Sequence, residues 1–412
     1  MIQGKVSVME GSIAISQAVK ACRPAVITAY PITPQTHIVE SLAQMSANGE
    51  LDAEYIRADS EFSAASILAG ASATGVRTYT ASSSQGLLLM TEVIYYLAGA
   101  RLPVVFTGAN RQVTAPIGLQ PEHQDTMGFR DAGIIELYVE DVQEAYDTHV
   151  QAFKIAEDHQ VLLPIIVCVD GFVLTHVYEP VKLFDQAAID AFLPPYEPLH
   201  YLTPDKPMIF GPISDDTNTP EFRYMTQQAI LRAQDKVEAV AREYESIFGH
   251  YHGGLIDTCA ADDAEIILVA LGSTVGTLRE AIDILRGEGV KVGLVKVRCF
   301  RPFPGEALRQ ALGHASIVAV LDRALSIGFQ GVLATEVKAA LYDAPKDRRP
   351  LVLGTMAGFG GREVTFDSVR EIVNHARRAL DAGRVPADEP QFIGFKPELL
   401  PAQGRNDRAR TD

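Results

Sequence analysis

Tryptophan is absent from this 412-residue sequence, and its four cysteines, Cys22, Cys168, Cys259 and Cys299, stand singly. None falls at the two-residue spacing that lets neighbouring thiolates hold zinc or an iron–sulfur cluster, so buried, reduced thiols are expected. The ten histidines are similarly dispersed, apart from His250 and His252, which flank Tyr251 beside a Gly-Gly pair and read as a linker. No metal site is expected in the chain. Positive charge is also in short supply. The net charge is −16, and basic residues gather only in the tail at Arg405, Arg408 and Arg410, so the surface repels phosphate backbones and nucleic acid is not an expected partner. The most apolar stretch, Leu87 to Phe106, is broken by Thr91, Glu92 and Arg101, short of the roughly 20 apolar residues that span a bilayer. The N-terminal MIQGKVSVMEGSIAISQAV lacks the parts of a secretory signal. A soluble, cytoplasmic protein away from membranes is the expectation.

Several catalytic signatures are missing too. There is no Walker loop, no full G-x-G-x-x-G after a strand, no G-x-S-x-G elbow and no H-E-x-x-H. LGSTVGTLREA near Gly272 and MAGFGGREV near Gly360 miss the dinucleotide spacing and read as structural turns or subunit contacts. Such a chain is incomplete as an enzyme.

What is present is a rhythm. From Ala25, short β-branched runs alternate with longer amphipathic ones: AVITAY then THIVESLAQMSA, EYIRAD then SEFSAASILAGASA, RTYTAS then QGLLLMTEVIYYLAGA, then PVVFTGA. That order predicts a parallel sheet covered by helices. IIELYV, a helical DVQEAYDTHVQAFKIAEDH and the apolar VLLPIIVCVDG close a first domain, 1–171. A Pro-rich arm and the polar helix EFRYMTQQAILRAQDKVEAVAREYESIF form a connector, 172–256. A second α/β domain, 257–384, carries EIILVALGS, VKVGLVKVRCF, SIVAVLDRA and PLVLGTMAG as strands, and 385–412 reads as an extended tail. The fold class is α/β with two parallel-sheet domains.

In parallel α/β sheets ligands gather outside the carboxyl ends of the strands. The first such loop holds Tyr30 and Thr33 in a Pro-bounded turn, whose other reading is a helix entry. The second holds Asp59, Ser60 and Glu61, where a carboxylate equally suits a helix cap. The third, Ser82 to Gly86 with Ser84 at its centre, offers backbone N–H groups at a helix start. The fourth, Ala109 to Gly133, is long enough to suggest function and carries Arg111, His123 and Asp125. Arg111 follows a strand end, where a guanidinium can fork a carboxylate; an ion pair with Glu122 or Asp125 is the competing reading.

In order along the chain, AYPITPQT, SEFSAASILAGASATGVRTYTASSSQGLLLMTEV, ANR followed by AP, EHQD, RDAG, FLPPY, VKVRCFRPFP and the Gly358 to Val364 loop resemble the alpha subunits of 2-oxoacid:ferredoxin oxidoreductases. The resemblance covers nearly the whole chain. It implies a thiamine-diphosphate pyrimidine-binding domain followed by a transketolase C-terminal-like domain. It also implies roles: Glu61 for the aminopyrimidine nitrogen, Thr33 and Arg111 for the substrate carboxylate, and Tyr30 and Ser84 for the cofactor. The activity implied is coenzyme A-dependent oxidative decarboxylation of a 2-oxo acid.

By the same resemblance, thiamine diphosphate is shared with a beta subunit carrying the diphosphate site and Mg2+. The [4Fe-4S] clusters belong to gamma- and delta-type subunits, electrons leave to ferredoxin or an NAD-reducing flavin subunit, and the assembly is a dimer of heteromers. Asp170-Gly is not followed by the asparagine of a magnesium-diphosphate motif, which fits that division. Pyruvate-using relatives usually carry tryptophan near the arginine and after the RD-x-G, whereas this chain reads IGLQPEHQD and RDAGII, which could enlarge the pocket. Pyruvate and an aromatic acid such as phenylglyoxylate therefore stand level, while Thr33 argues against oxalate. A non-catalytic assembly subunit and a self-contained transketolase-like enzyme are the alternatives.

Overall fold

The computed structural model describes residues 2–345, 349–386 and 390–401; the tail arginines Arg405, Arg408 and Arg410 lie outside the described residues. In chain order the strands of the N-terminal part are β1 (Lys5–Glu10), β2 (Val26–Ala29), β3 (Glu54–Arg57), β4 (Thr78–Ser82), β5 (Val105–Asn110), β6 (Ile135–Tyr138), β7 (Ile165–Asp170) and β8 (Tyr178–Leu183). They continue as β9 (Ile256–Cys259), β10 (Ile266–Ala270), β11 (Val292–Val297), β12 (Cys299–Arg301), β13 (Ile317–Asp322), β14 (Leu351–Met356) and β15 (Gln391–Phe392).

One sheet has the order β12-β6-β7-β5-β4-β2-β3, parallel except for β12. β5 and β7 are buried along their whole length, as their unbroken apolar character requires of central strands. Helices Gly11–Ala21 and Val142–Ala156 cover one face, packing Ile15, Tyr146 and Val150. Helices Glu61–Ala73 and Thr91–Ala100 cover the other with Leu68 and Ile94.

The second sheet runs β15-β14-β13-β10-β11-β9. Period-two alternation along β10 sends Ile267 and Val269 into the same apolar cluster as Phe106 and Ile166 of the first unit. Ile266, Leu268 and Ala270 face helices Thr274–Gly287 and Phe366–Asp381 instead. The two units thus share one core layer.

The expected strand VKVGLVKVRCF divides. β11 stays in the second sheet, whereas β12 crosses to the edge of the first and pairs antiparallel with β6. Arg298 sits at the break, fully buried, with its guanidinium on Glu144 at 3.0 Å, Thr148 at 2.9 Å, Gln151 at 3.1 Å and the Gly254 carbonyl at 3.2 Å. All but the last lie on the helix Val142–Ala156, so pairing this buried charge draws the chain across.

The arm after Gly171 is partly regular: β8 pairs antiparallel with β1, followed by helix Gln186–Phe192. The connecting helix runs Thr219–Phe248, burying Ala229, Ala233, Val237, Val240, Tyr244 and Phe248 at three- and four-residue intervals. Within the tail, Gln391 and Phe392 add β15 beside β14. Among the described residues no helix is long and apolar enough to cross a membrane.

Candidate functional site

The carboxyl ends of β2, β3, β4, β5 and β7 open on one rim, because parallel strands place all their following loops on the same side. After β3, Ser60 is extended and its hydroxyl accepts the Ser63 N–H at 3.2 Å, starting a helix whose first residue is Glu61. Glu61 is only 7% exposed. Among the described residues none donates a hydrogen bond to its carboxylate. Opposite it stands Gly86: a Cβ there would lie 2.4 Å from Glu61 Oε1 and 2.5 Å from Ser82 Oγ. Only glycine permits that approach.

The loop after β4 is held from below. Ser84, at φ +50°, donates its N–H to Asp125 Oδ2 at 3.0 Å and its hydroxyl to the Gln112 carbonyl at 2.6 Å. The N–H expected to meet an anionic ligand thus already meets an internal carboxylate, and Ser84 holds the loop rather than facing outward. Ser82 and Ser83, in contrast, keep buried hydroxyls without partners.

Asp125 joins this loop to the one after β5. Oδ2 also accepts the Arg111 N–H at 2.9 Å, while Oδ1 accepts from the Asn110 side chain at 2.8 Å and the Thr126 N–H at 2.9 Å. Burial pushes the Asp125 carboxyl up to about 6, against the pull of those four donors. Arg111, 6% exposed, sends Nη1 to the Thr33 carbonyl at 2.6 Å and Nη2 to Gln85 Oε1 at 2.8 Å. Its ion pair with Glu122 or Asp125 does not form; Asp125 meets the backbone instead. Arg111 Nε is buried without a partner, as is Asn110 Oδ1. Burial lowers the Arg111 pKa, with the charges of Asp125 and Glu61 opposing.

Glu61, Thr33 and Arg111 therefore share one rim, with Tyr30 39% exposed and its carbonyl held by Gln35 at 2.9 Å. Pro34 packs so close to the turn after β7 that a Cβ on Gly171 would lie 2.5 Å from its ring. The sequence marks Gln85 only as part of the polar turn Ser82 to Gly86, and its contact with Arg111 carries no spacing signal.

His123 and Asp170 form a second buried group. Asp170 Oδ1 meets His123 Nε2 at 2.7 Å, and Oδ2 accepts from Arg323 Nη1 at 2.9 Å, the Ser273 N–H at 2.9 Å and the Ser273 hydroxyl. Burial alone would raise its pKa, yet Arg323 and His123 hold it well below the ordinary carboxylate range. Ser273 and Arg323 come from the second unit, so this Asp-Gly ties the units together. The glycine turn near Gly360 joins the same contact, its N–H reaching Glu122 at 2.9 Å.

The rim therefore offers an unpartnered carboxylate, two free serine hydroxyls and a partly engaged guanidinium. Such a set can hold a polar heterocycle and an anionic substrate, while the buried carboxylates of Asp125 and Asp170 are taken up by internal donors.

A family described as "Pyruvate flavodoxin/ferredoxin oxidoreductase, thiamine diP-bdg" matches residues 17–246, and "Pyruvate:ferredoxin oxidoreductase core domain II" matches 264–369. The chain is 49% identical to a pyruvate synthase subunit PorA from Methanosarcina barkeri over 96% of its own length and 98% of the relative's. It is 40% identical to a ketoisovalerate oxidoreductase subunit VorA from Pyrococcus abyssi, over 92% and 95% of the two chains. Among solved structures it resembles a 2-oxoglutarate:ferredoxin oxidoreductase from Magnetococcus marinus with TM-score 0.68 at 19% identity, covering 90% of this chain and 65% of that one. A split-gene transketolase matches with TM-score 0.55 at 13% identity, over 92% and 100%. The last two likenesses concern the fold alone.

Proposed function

The chain belongs to the pyruvate flavodoxin/ferredoxin oxidoreductase family, an oxidoreductase subunit working within a complex, and on that premise we propose that its rim is the pyrimidine half of a thiamine-diphosphate site acting on pyruvate. The observation that carries this reading is Glu61: a buried carboxylate without a donor, against a glycine cradle that a single methyl would fill. When bound, thiamine diphosphate supplies the nucleophilic carbon and electron sink that decarboxylation of a 2-oxo acid needs.

In this reading Glu61 holds a proton at the ring nitrogen of the aminopyrimidine, which sets the tautomer required for base chemistry there. Tyr30 borders the ring, and Ser84 acts by fixing the loop that carries Ser82, Ser83 and Gln85. Arg111, with Nη1 and Nη2 already oriented by Thr33 and Gln85, directs its remaining N–H capacity at the substrate carboxylate, and the Thr33 hydroxyl supplies a further donor. Diphosphate, Mg2+ and the [4Fe-4S] clusters fall to beta, gamma and delta-type partners, with coenzyme A taking the acyl group and ferredoxin the electrons.

Pyruvate is preferred to phenylglyoxylate because the pyruvate synthase relatives reach 49% identity. The lack of loop tryptophans and the 40% identity to a ketoisovalerate oxidoreductase subunit favour a larger acid. In the assembled complex, Glu61→Gln should lower turnover by orders of magnitude with the complex intact. Turnover within a few-fold of wild type would return the chain to an assembly role.

A further inference from the structure

The two histidines beside the Gly-Gly pair do more than mark a linker. His250 Nδ1 and His252 Nε2 both reach Asp147 Oδ2, at 2.8 and 2.7 Å, and the three ligand atoms lie within 4.8 Å of one another. Asp147 is fully buried on the helix Val142–Ala156. Its other oxygen is already served by the Tyr244 hydroxyl at 2.7 Å and the Gln143 side chain at 3.1 Å. Oδ2 is left to the two imidazoles, which converge on this one oxygen from the same linker.

We propose that Asp147, His250 and His252 form a binding site for a divalent transition cation of the zinc class, which fastens the linker to the first unit. Two imidazole nitrogens and one carboxylate oxygen suit borderline metals, whereas calcium and magnesium require oxygen ligands. Tyr244 and Gln143 supply the outer hydrogen bonds that orient a ligating carboxylate. The negative charges of Glu144 and Asp141 bear on His252, with Arg298 opposing them.

A metal at roughly 2.0–2.2 Å from each ligand needs these atoms to spread by about half an ångström. The linker can give that much, because Gly249 and Gly253, at φ +83° and +84°, flank the histidine pair. His250 and His252 keep 20% and 15% of their side chains exposed, enough for water to complete a fourth position.

The test is calorimetric titration of the chelator-treated full-length chain with zinc chloride, with cobalt(II) absorption reporting imidazole coordination. Wild type should bind about one equivalent at this site with micromolar or tighter affinity, and His252→Gln and Asp147→Asn should each weaken it at least tenfold. His250→Gln and His252→Gln lie on the linker and keep the test decisive where the Asp147 variant fails to fold. A second group, Glu10, His37 and His176, serves as the control through His37→Gln. Absence of zinc binding tighter than millimolar, unchanged binding in His252→Gln, or loss only in His37→Gln overturns the proposal and leaves an ion-paired cluster.

Discussion

Asp125 and Arg111 meet through backbone and carboxylate: the Arg111 N–H reaches Asp125 Oδ2 at 2.9 Å while its guanidinium turns away to Thr33 and Gln85. The same oxygen holds Ser84, so one buried carboxylate fixes two loops of the rim. Asp125→Ala leaves several buried N–H donors unmet, at about 1–3 kcal/mol each before relaxation. The milder Asp125→Asn should keep the fold and raise the KM for the 2-oxo acid more than it lowers kcat. Steady-state kinetics of the complex beside its melting temperature separate the two effects.

Arg111→Lys preserves charge but loses the fork. The expected loss in kcat/KM is about 1.5–3 kcal/mol, or roughly tenfold to a hundredfold, carried mainly by KM and similar for every 2-oxo acid tried. Unchanged KM values for pyruvate and phenylglyoxylate would show that Arg111 only buttresses Thr33.

Gly86→Ala puts a methyl where Glu61 Oε1 and Ser82 Oγ now lie. Glu61 must then rotate out of its cradle, so cofactor affinity should fall steeply while the melting temperature moves little. Thiamine diphosphate titration of the assembled variant measures the first, and a thermal scan the second.

Glu136 is fully buried on β6, with neither carboxylate oxygen partnered, and burial pushes its pKa up to about 8. Its folded value exceeds its unfolded one, so the stabilising effect is complete below the unfolded value and lost as pH rises through about 8. Glu136→Gln should therefore match wild type near pH 5 and be the more stable protein near pH 9, as denaturant midpoints at those about neutral-flanking values can read. A parallel decline of both proteins would place the titration elsewhere.

Asp170 works with the opposite sign. Arg323 and His123 hold its pKa below the ordinary carboxylate value, so its contribution is present above the unfolded value and disappears as pH falls through the folded one. Asp170→Asn strands Arg323 in the interface between the two units and should cost about 3–5 kcal/mol at neutral pH. The difference from wild type should shrink on acidification below about pH 4, which acid unfolding curves would record.

The alternation of β-branched and amphipathic segments was enough to give two α/β units, since a parallel strand must be buried on both faces and its helix on one. The same pattern located the rim: Tyr30, Thr33, Glu61, Ser84 and Arg111 all follow strand ends.

What the sequence left open were matters of long-range pairing. Nothing local distinguishes Arg298 from a surface arginine, yet its partners on the helix Val142–Ala156 pull β12 out of one sheet and into another. In the sequence Asp125 is one polar residue of a long loop and Asp170 part of an unfinished Asp-Gly motif, and only their surroundings make one a brace for the rim and the other a tie between units. His250 and His252 are separated from Asp147 by about a hundred residues of chain. Local periodicity decides which face of an element is buried, whereas the desolvation cost of a charge is settled only by whichever distant group the fold brings within reach.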